Sequence, residues 1–331
     1  YQYNKIYRFL KKILMIDKQS ITAFAPATVA NISCGFDIMG FALEGAGDKV
    51  TVSVTDKPVE NKIKLTGKYG ELVPADKERN TAGVAAYSLL RAIGMEKLSV
   101  EITLEKNLPV GSGMGSSAAS SAAAVFALNY LLGNPFTTTE LIPFAMEGER
   151  VACGTAHADN VAPSLLGKFV LIRSYDPLDI VSLNVPARLF CVLIHPHVEV
   201  KTSDARRVLR KDFPLSIVTR QSANTAALTA GLLTEDYDLI ARSMTDLLAE
   251  PRRTMLIPGF EKAKRSAMEA GAIGCGISGS GPSIFAFCRN IEDAVKIAGA
   301  IQEAFFLNAG LESDRIISSL NAPGARIIEE R

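Results

Sequence analysis

The chain has 331 residues, 48% of them hydrophobic, which at about 150 residues per domain implies two domains with substantial cores. Its 36 basic and 35 acidic residues leave a net charge of +1, and a charged fraction of 21% excludes a disordered polyelectrolyte. The same balance excludes a non-specific binder of nucleic acid or anionic membranes, and five cysteines without a CxxC pair exclude a disulfide framework or a zinc site. The expectation is a soluble cytoplasmic enzyme with neither nucleic-acid nor membrane partner.

Residues 1–14 form a basic stretch with an apolar stripe but lack the continuous apolar run and cleavage site of a signal peptide. They read as an extension preceding a start at Met15. No segment reaches the ~18 apolar residues of a membrane-spanning helix. Pro26 to Asn31, continuing through Gly35 to Asp37, reads as a loop between strand-like segments. Val50, Val52 and Val54 alternate with polar residues, as do Val100, Ile102 and Leu104, which marks two half-buried strands. Ser116 to Leu132 predicts a tightly packed Ala-rich helix closed by Gly133 and Pro135. Phe169–Ile172 and Leu189–Ile194 have strand length. Clustered prolines and polar stretches put a boundary between 170 and 188, drawn as domains 15–180 and 181–331. Beyond Pro196 helices are expected at 203–211, 215–232, 236–249, 259–271 and 292–308, with strands near 283–288 and 314–319. This mixed order favours α+β layers over a doubly wound parallel sheet.

The most informative stretch is Pro109-Val110-Gly111-Ser112-Gly113-Met114-Gly115-Ser116-Ser117-Ala118-Ala119. Three alternating glycines follow a strand and lead into a helix, whose N-terminal N–H groups and dipole favour phosphate. The loop lacks the lysine of a Walker A loop, and its GxGxG spacing is not the dinucleotide-binding GxGxxG. Gly274, Gly276 and Gly279 do satisfy GxGxxG, but Pro282 leads into a strand rather than a helix. That match is read as accidental, and the segment as a close-approach turn beside the first loop.

Four further clusters set polar groups in apolar surroundings. They are Asn31 with Asp37; Glu147 and Glu149 followed by His157, Asp159 and Asn160; Thr202 with Arg206, four apart at a helix start; and Arg252 with Arg253. Each alone has an ordinary explanation, as a turn residue, a satisfied buried histidine or a solvated helix face. Beside a phosphate loop they acquire another. Phosphoryl transfer needs a carboxylate for Mg²⁺ and an oriented hydroxyl, and an amino-acid acceptor needs an arginine fork.

PVGSGMGSSAA resembles the second motif of the superfamily of galactokinase, homoserine kinase, mevalonate kinase and phosphomevalonate kinase. APATVANISCGFDIMGFAL (25–43) resembles its first motif and ISGSGPSIFA (277–286) its third. HADNVAPSLLGKF (157–169), VKTSDARRVL (200–209) and EPRRTMLIPGF (250–260) resemble the homoserine kinase branch. The resemblance runs from about residue 20 to the C-terminus. It implies an N-terminal ATP-binding domain like the second domain of ribosomal protein S5, a ferredoxin-like C-terminal domain and an active site between them. The implied reaction takes ATP and L-homoserine to ADP and O-phospho-L-homoserine, on the route to threonine.

Carried over by position, residues 109–119 wrap the ATP phosphates, and Ser117 and Glu149 hold Mg²⁺. Asn31, Asp37, His157, Asn160, Thr202, Arg206 and Arg253 contact homoserine, Asp37 meeting its ammonium and the two arginines its carboxylate. Asn160 is taken as the group that orients the acceptor hydroxyl, with Asp159 structural; Asp159 as a general base is the competing assignment. Met114 stands where relatives commonly have Leu, a swap of similar volume. Another kinase of the superfamily acting on a mevalonate- or sugar-like alcohol, and a catalytically silent ligand sensor, are the alternatives. Assembly, including a homodimer, is left open.

Overall fold

The computed structural model describes residues 20–56 and 59–331, so the readings of residues 1–14 and of Met15 lie outside the described residues. In chain order the strands are β1 (Ser20–Ala30), β2 (Met39–Val54), β3 (Lys64–Thr66), β4 (Val100–Glu105), β5 (Phe169–Tyr175), β6 (Leu178–Leu183), β7 (Phe190–Pro196), β8 (Gly274–Ile277), β9 (Ile284–Cys288), β10 (Ser313–Ser319) and β11 (Arg326–Glu330). The helices are α1 (Thr81–Ala92), α2 (Ser116–Leu131), α3 (Ile142–Cys153), α4 (Ala158–Leu166), α5 (Thr202–Arg207), α6 (Leu215–Thr234), α7 (Tyr237–Ser243), α8 (Glu250–Arg253), α9 (Phe260–Glu269) and α10 (Ile291–Ala309).

Two sheets result. The first runs β11-β1-β2-β4-β3, with the β5–β6 hairpin on the near end of β2. The second is antiparallel in the order β10-β7-β9-β8, which is the 4-1-3-2 arrangement of a ferredoxin-like βαββαβ unit. Period-2 alternation explains the layering. On β7, Cys191 and Leu193 face the core between the sheets, while Val192 and Ile194 face α9 and α10. On β9, Phe285 and Phe287 share the inter-sheet core with Phe41 and Phe169, and Ile284 and Ala286 turn outward to the helices. Val50, Val52, Ile102 and Leu104 pack against α1 and α2 on the far face of the first sheet. The molecule is therefore helices, sheet, sheet, helices.

The Ala-rich helix forms where the sequence places it, and it is buried on almost every side. Its small side chains let β1, β2, α1 and α3 approach its backbone. Other expectations shift. Pro26 to Ala30 is strand rather than loop, because a register shift between Pro26 and Thr28 accommodates the proline. Only Asn31 onward is the turn, with Asn31, Ile32, Ser33 and Asp37 at positive φ. The helix expected over 236–249 stops at Ser243, and the one over 203–211 at Arg207. The first break has a visible cause: Asp246 accepts the N–H groups of Leu248, Ala249 and Glu250, turning the chain into α8. The boundary drawn at 180/181 falls inside β6, which pairs with β5 as far as Leu183, and β11 returns from the C-terminus to β1.

Candidate active site between the two sheets

A cleft of about 540 Å³ lies where the glycine loop and the start of α2 meet the turn after β1, the starts of α4 and α5, α8, and the turn near 279. At one end Gly111, Gly113 and Gly115 take φ values of 64°, 74° and 64°, a left-handed conformation that glycine adopts without strain. Gly115 is the N-cap of α2, with no side-chain capping bond, so the first-turn N–H groups lack an intrahelical partner. Ser116 donates its hydroxyl to Leu108 O at 3.2 Å, and the Ser112 hydroxyl, buried in the cleft wall, has no hydrogen-bond partner among the described residues.

The second glycine cluster braces this loop. Ser278 donates to Gly113 O at 2.7 Å and the Ser283 N–H to Ser112 O at 3.2 Å. A Cβ on Gly113 would stand 2.4 Å from Ser278 O, which is why that position must be glycine. The close approach begins at Ser278, as the context implied, but Gly274–Ile277 is the strand β8 and not part of the turn.

Behind the loop lies a network absent from the sequence reading. Lys106 is fully buried, ion-paired to Asp48, and donates to Ser116 O at 2.8 Å and to Ser120 Oγ at 3.1 Å. Asp48 also accepts the N–H groups of Asn107 and Leu108 at 2.9 and 3.0 Å. Burial lowers the Lys106 pKa and Asp48 opposes the shift. A lysine after an alternating strand carries no sign that it will be enclosed.

Glu149 projects from α3 into the cleft, 6% exposed and hydrogen-bonded to Ser117. Burial pushes its pKa up to about 7, with Ser117 and then Lys106 pulling the other way. Glu147 is on the outer surface, paired with Arg150 at 3.2 Å. A buried carboxylate beside a hydroxyl, at the mouth of a phosphate-type loop, is a hard-oxygen donor set that suits Mg²⁺ completed by phosphate and water. Among the described residues no cluster of three or more His, Cys, Asp or Glu could hold a metal by itself.

The other end of the cleft is assembled from side chains. Arg206 places one guanidinium nitrogen 2.7 and 2.9 Å from the two Asp37 carboxylate oxygens, and 3.4 Å from His157 Nδ1. Arg253, 3% exposed, donates to Ala205 O at 3.2 Å and to Gly279 O at 2.7 Å. Both guanidinium groups lie over the Phe36 ring, 5.5 and 5.3 Å from its centroid. Asn31 donates to Gly279 O at 2.7 Å and accepts the Asp37 N–H at 2.9 Å. Thr202 approaches Ser280 at 3.4 Å, and His157 meets Thr155 at 2.6 Å. Burial lowers the His157 pKa; Asp37 opposes this while Arg206 and Arg253 add to it.

All seven expected acceptor-site residues therefore line one cleft with the glycine loop, and so does Asp159. Asp159 is 3% exposed; burial, then the charges of Asp37 and Glu149, push its pKa up to about 8. Asn160 accepts the Thr28 hydroxyl at 2.7 Å. Tyr175, which sequence reasoning missed, donates to Asp37 O at 2.8 Å and accepts the Ala158 N–H at 3.2 Å. It thus ties the left-handed Asp37 to the start of the helix bearing Asp159 and Asn160.

The family model for the GHMP kinases N terminal domain matches residues 80–168, and that for GHMP kinases C terminal matches residues 228–306. Fold and cleft thus define a GHMP-type kinase. A homoserine kinase of Chlorobaculum tepidum is 49% identical over 319 residues, covering 94% of this chain and 98% of the relative. A homoserine kinase crystal structure from Cytophaga hutchinsonii is 51% identical with a TM-score of 0.89, covering 93% of this chain and 97% of that one. Lactococcus lactis galactokinase, solved with galactose, shares the fold at 13% identity and a TM-score of 0.67 over 99% of this chain and all of its own. The chain belongs to the homoserine kinase family.

Proposed function

We propose that the protein transfers the γ-phosphoryl group of ATP to the side-chain hydroxyl of L-homoserine, giving ADP and O-phospho-L-homoserine for threonine biosynthesis. The observation that carries this reading is the Asp37, Arg206 and Arg253 set, facing a helix-N-terminus phosphate loop across one cleft. Asp37 and Arg206 neutralise each other in the cleft. A zwitterionic amino acid replaces that pair with two: its ammonium meets Asp37, and its carboxylate meets Arg206 and Arg253. A mevalonate-like acid could offer its carboxylate to the arginines but has no ammonium for Asp37, and a sugar-like alcohol has neither group, so neither completes the exchange.

ATP phosphates suit the loop N–H groups, the start of α2 and the Ser112 hydroxyl. Ser117 and Glu149 would hold Mg²⁺, whose charge balances the phosphate oxygens when bound. Burial favours the protonated form of Glu149, and a bound cation would offset that burial. Asn160 orients the acceptor hydroxyl. Asp159, buried and raised to about 8, retains its proton at neutral pH and is assigned a structural role. A loose phosphoryl-transfer transition state needs little nucleophile activation, so the hydroxyl proton leaves late, to a phosphoryl oxygen.

All of these residues come from one chain. No described helix is long and apolar enough to cross a membrane, and a cytoplasmic location agrees with soluble substrates. ADP release measured with homoserine, mevalonate, galactose and shikimate tests the reading. Homoserine alone should give sustained turnover, and equal rates with homoserine and mevalonate would overturn it.

A further inference from the structure

Thr28 lies on β1, fully buried, at the point where the two halves of the cleft meet. Its backbone N–H donates to Met114 O in the glycine loop at 3.0 Å, and its hydroxyl donates to Asn160 Oδ1 at 2.7 Å. The packing there leaves no slack. A Cβ on Gly115 would stand 2.0 Å from Thr28 Oγ1 and 2.9 Å from Asn160 Oδ1. One residue thus touches the phosphate loop through its backbone and the acceptor amide through its side chain.

We infer that Thr28 is a positioning residue that fixes the Asn160 amide, so that Asn160 presents its NH₂ edge, not its carbonyl, to the acceptor hydroxyl. A primary amide has one accepting oxygen and one donating nitrogen. With Oδ1 held by Thr28, the edge left for the cleft is the donor. This inference rests on the homoserine kinase reading and refines its chemistry. An N–H donor engages one lone pair of the hydroxyl oxygen, leaving the other lone pair to form the new O–P bond. The bond to the leaving β–γ bridging oxygen breaks, and the hydroxyl proton passes to a phosphoryl oxygen. Asn160 takes up no proton at any stage.

Thr28→Val keeps the shape and removes the donor, whereas Thr28→Ser keeps the donor. Freeing a buried amide oxygen should lower kcat about 10-fold in Thr28→Val, with KM for homoserine and for ATP within about 2-fold. Thr28→Ser should recover most of the lost kcat. Asn160→Asp, which turns the inward donor into an acceptor, should lower kcat with Thr28 intact. Any of three results overturns the inference: unchanged kcat in Thr28→Val, Thr28→Ser as impaired as Thr28→Val, or a faster Asn160→Asp enzyme whose rate rises with pH. A loss confined to the ATP KM would also overturn it, by making Thr28 a loop residue only. Should Thr28→Val not fold, the Asn160→Asp result decides by itself. Failure of the substrate reading shows separately, as wild-type enzyme inactive on homoserine.

Discussion

The two ends of the cleft are built on different principles. The phosphate end is mostly backbone from one contiguous stretch, made of glycines in left-handed conformations and the uncapped start of α2. Its few side chains, Ser112, Ser117 and Glu149, join donors that the chain supplies locally. The acceptor end draws Asn31, Asp37, His157, Asn160, Thr202, Arg206 and Arg253 from four separate segments, held by contacts across up to 248 residues. It is also self-neutralised, through Asp37 and Arg206. One end is a shape the local sequence dictates; the other is a charge pattern that only the tertiary fold assembles. Substitutions at the first should therefore act on rate and, Asn160 at the acceptor hydroxyl aside, those at the second on acceptor affinity.

The largest expected effect is at the first end. Glu149→Ala removes the buried carboxylate, and Ser117→Ala its hydroxyl partner. Loss of one electrostatic stabiliser of the transition state typically costs ~10²–10³ in kcat, so both variants should lose about that with homoserine KM little changed. Glu147→Ala, at an exposed ion pair, should stay within about 2-fold of wild type. A crippled Glu147→Ala beside an active Glu149→Ala would break the assignment.

Next comes the arginine clamp. Removing one side of a buried charge-assisted pair typically costs ~2–5 kcal/mol, and ~1.4 kcal/mol is tenfold. Arg206→Ala and Arg253→Ala should raise the homoserine KM at least ~10-fold and leave the ATP KM within about 3-fold. Arg252→Ala should do neither. If the ATP KM moves as much as the homoserine KM, the division of labour between the two ends fails.

The same contrast sets what could be read from the sequence. The glycine loop and its helix are legible because three glycines before a helix start are a local pattern with a physical meaning. β7 and β9 are legible as apolar runs, though not the fact that each buries both faces. The acceptor residues had no local signature: Asn31, His157 and Arg206 each fit an ordinary structural role, and only resemblance joined them. Thr28, Lys106 and Tyr175 were missed because their meaning lies in partners such as Asn160, Asp48 and Asp37, distant in sequence. The broken helix after Ser243 was missed because helical periodicity cannot show that the Asp246 side chain will capture the next turn's N–H groups.

A smaller effect should separate geometry from charge at the acceptor end. Tyr175→Phe keeps the ring and loses both hydrogen bonds of the hydroxyl, to Asp37 O and from Ala158 N. At a net ~1 kcal/mol for a hydrogen bond, the homoserine KM should rise roughly 5-fold. An unchanged KM would mean that Asn31 alone holds Asp37 in its left-handed conformation.

The last effect concerns Asp159 and is read in stability. Its ordinary pKa is 3.8, and burial, with the charges of Asp37 and Glu149, raises it to about 8 in the folded protein. Between those two values the folded state keeps a proton that the unfolded state has lost. Stability therefore falls as pH rises through that window, since the unfolded state binds fewer protons there. The ligand-free protein should show a melting temperature that declines from pH 6 to pH 8 at fixed ionic strength. Glu149, raised from 4.5 to about 7, adds to the decline below pH 7. Asp159→Asn removes one titrating group but keeps the shape, so it should reduce the slope most between pH 7 and 8, whereas Glu147→Gln should leave it unaltered. Kinetics then decide what the retained proton means. If Asp159 is structural, Asp159→Asn keeps more kcat than Asn160→Ala, and the pH profile of kcat loses no limb. A folded, ATP-binding but nearly dead Asp159→Asn enzyme would instead make Asp159 the base that takes the hydroxyl proton. The acceptor end would then contribute to rate as well as affinity, and the contrast between the two ends would no longer hold.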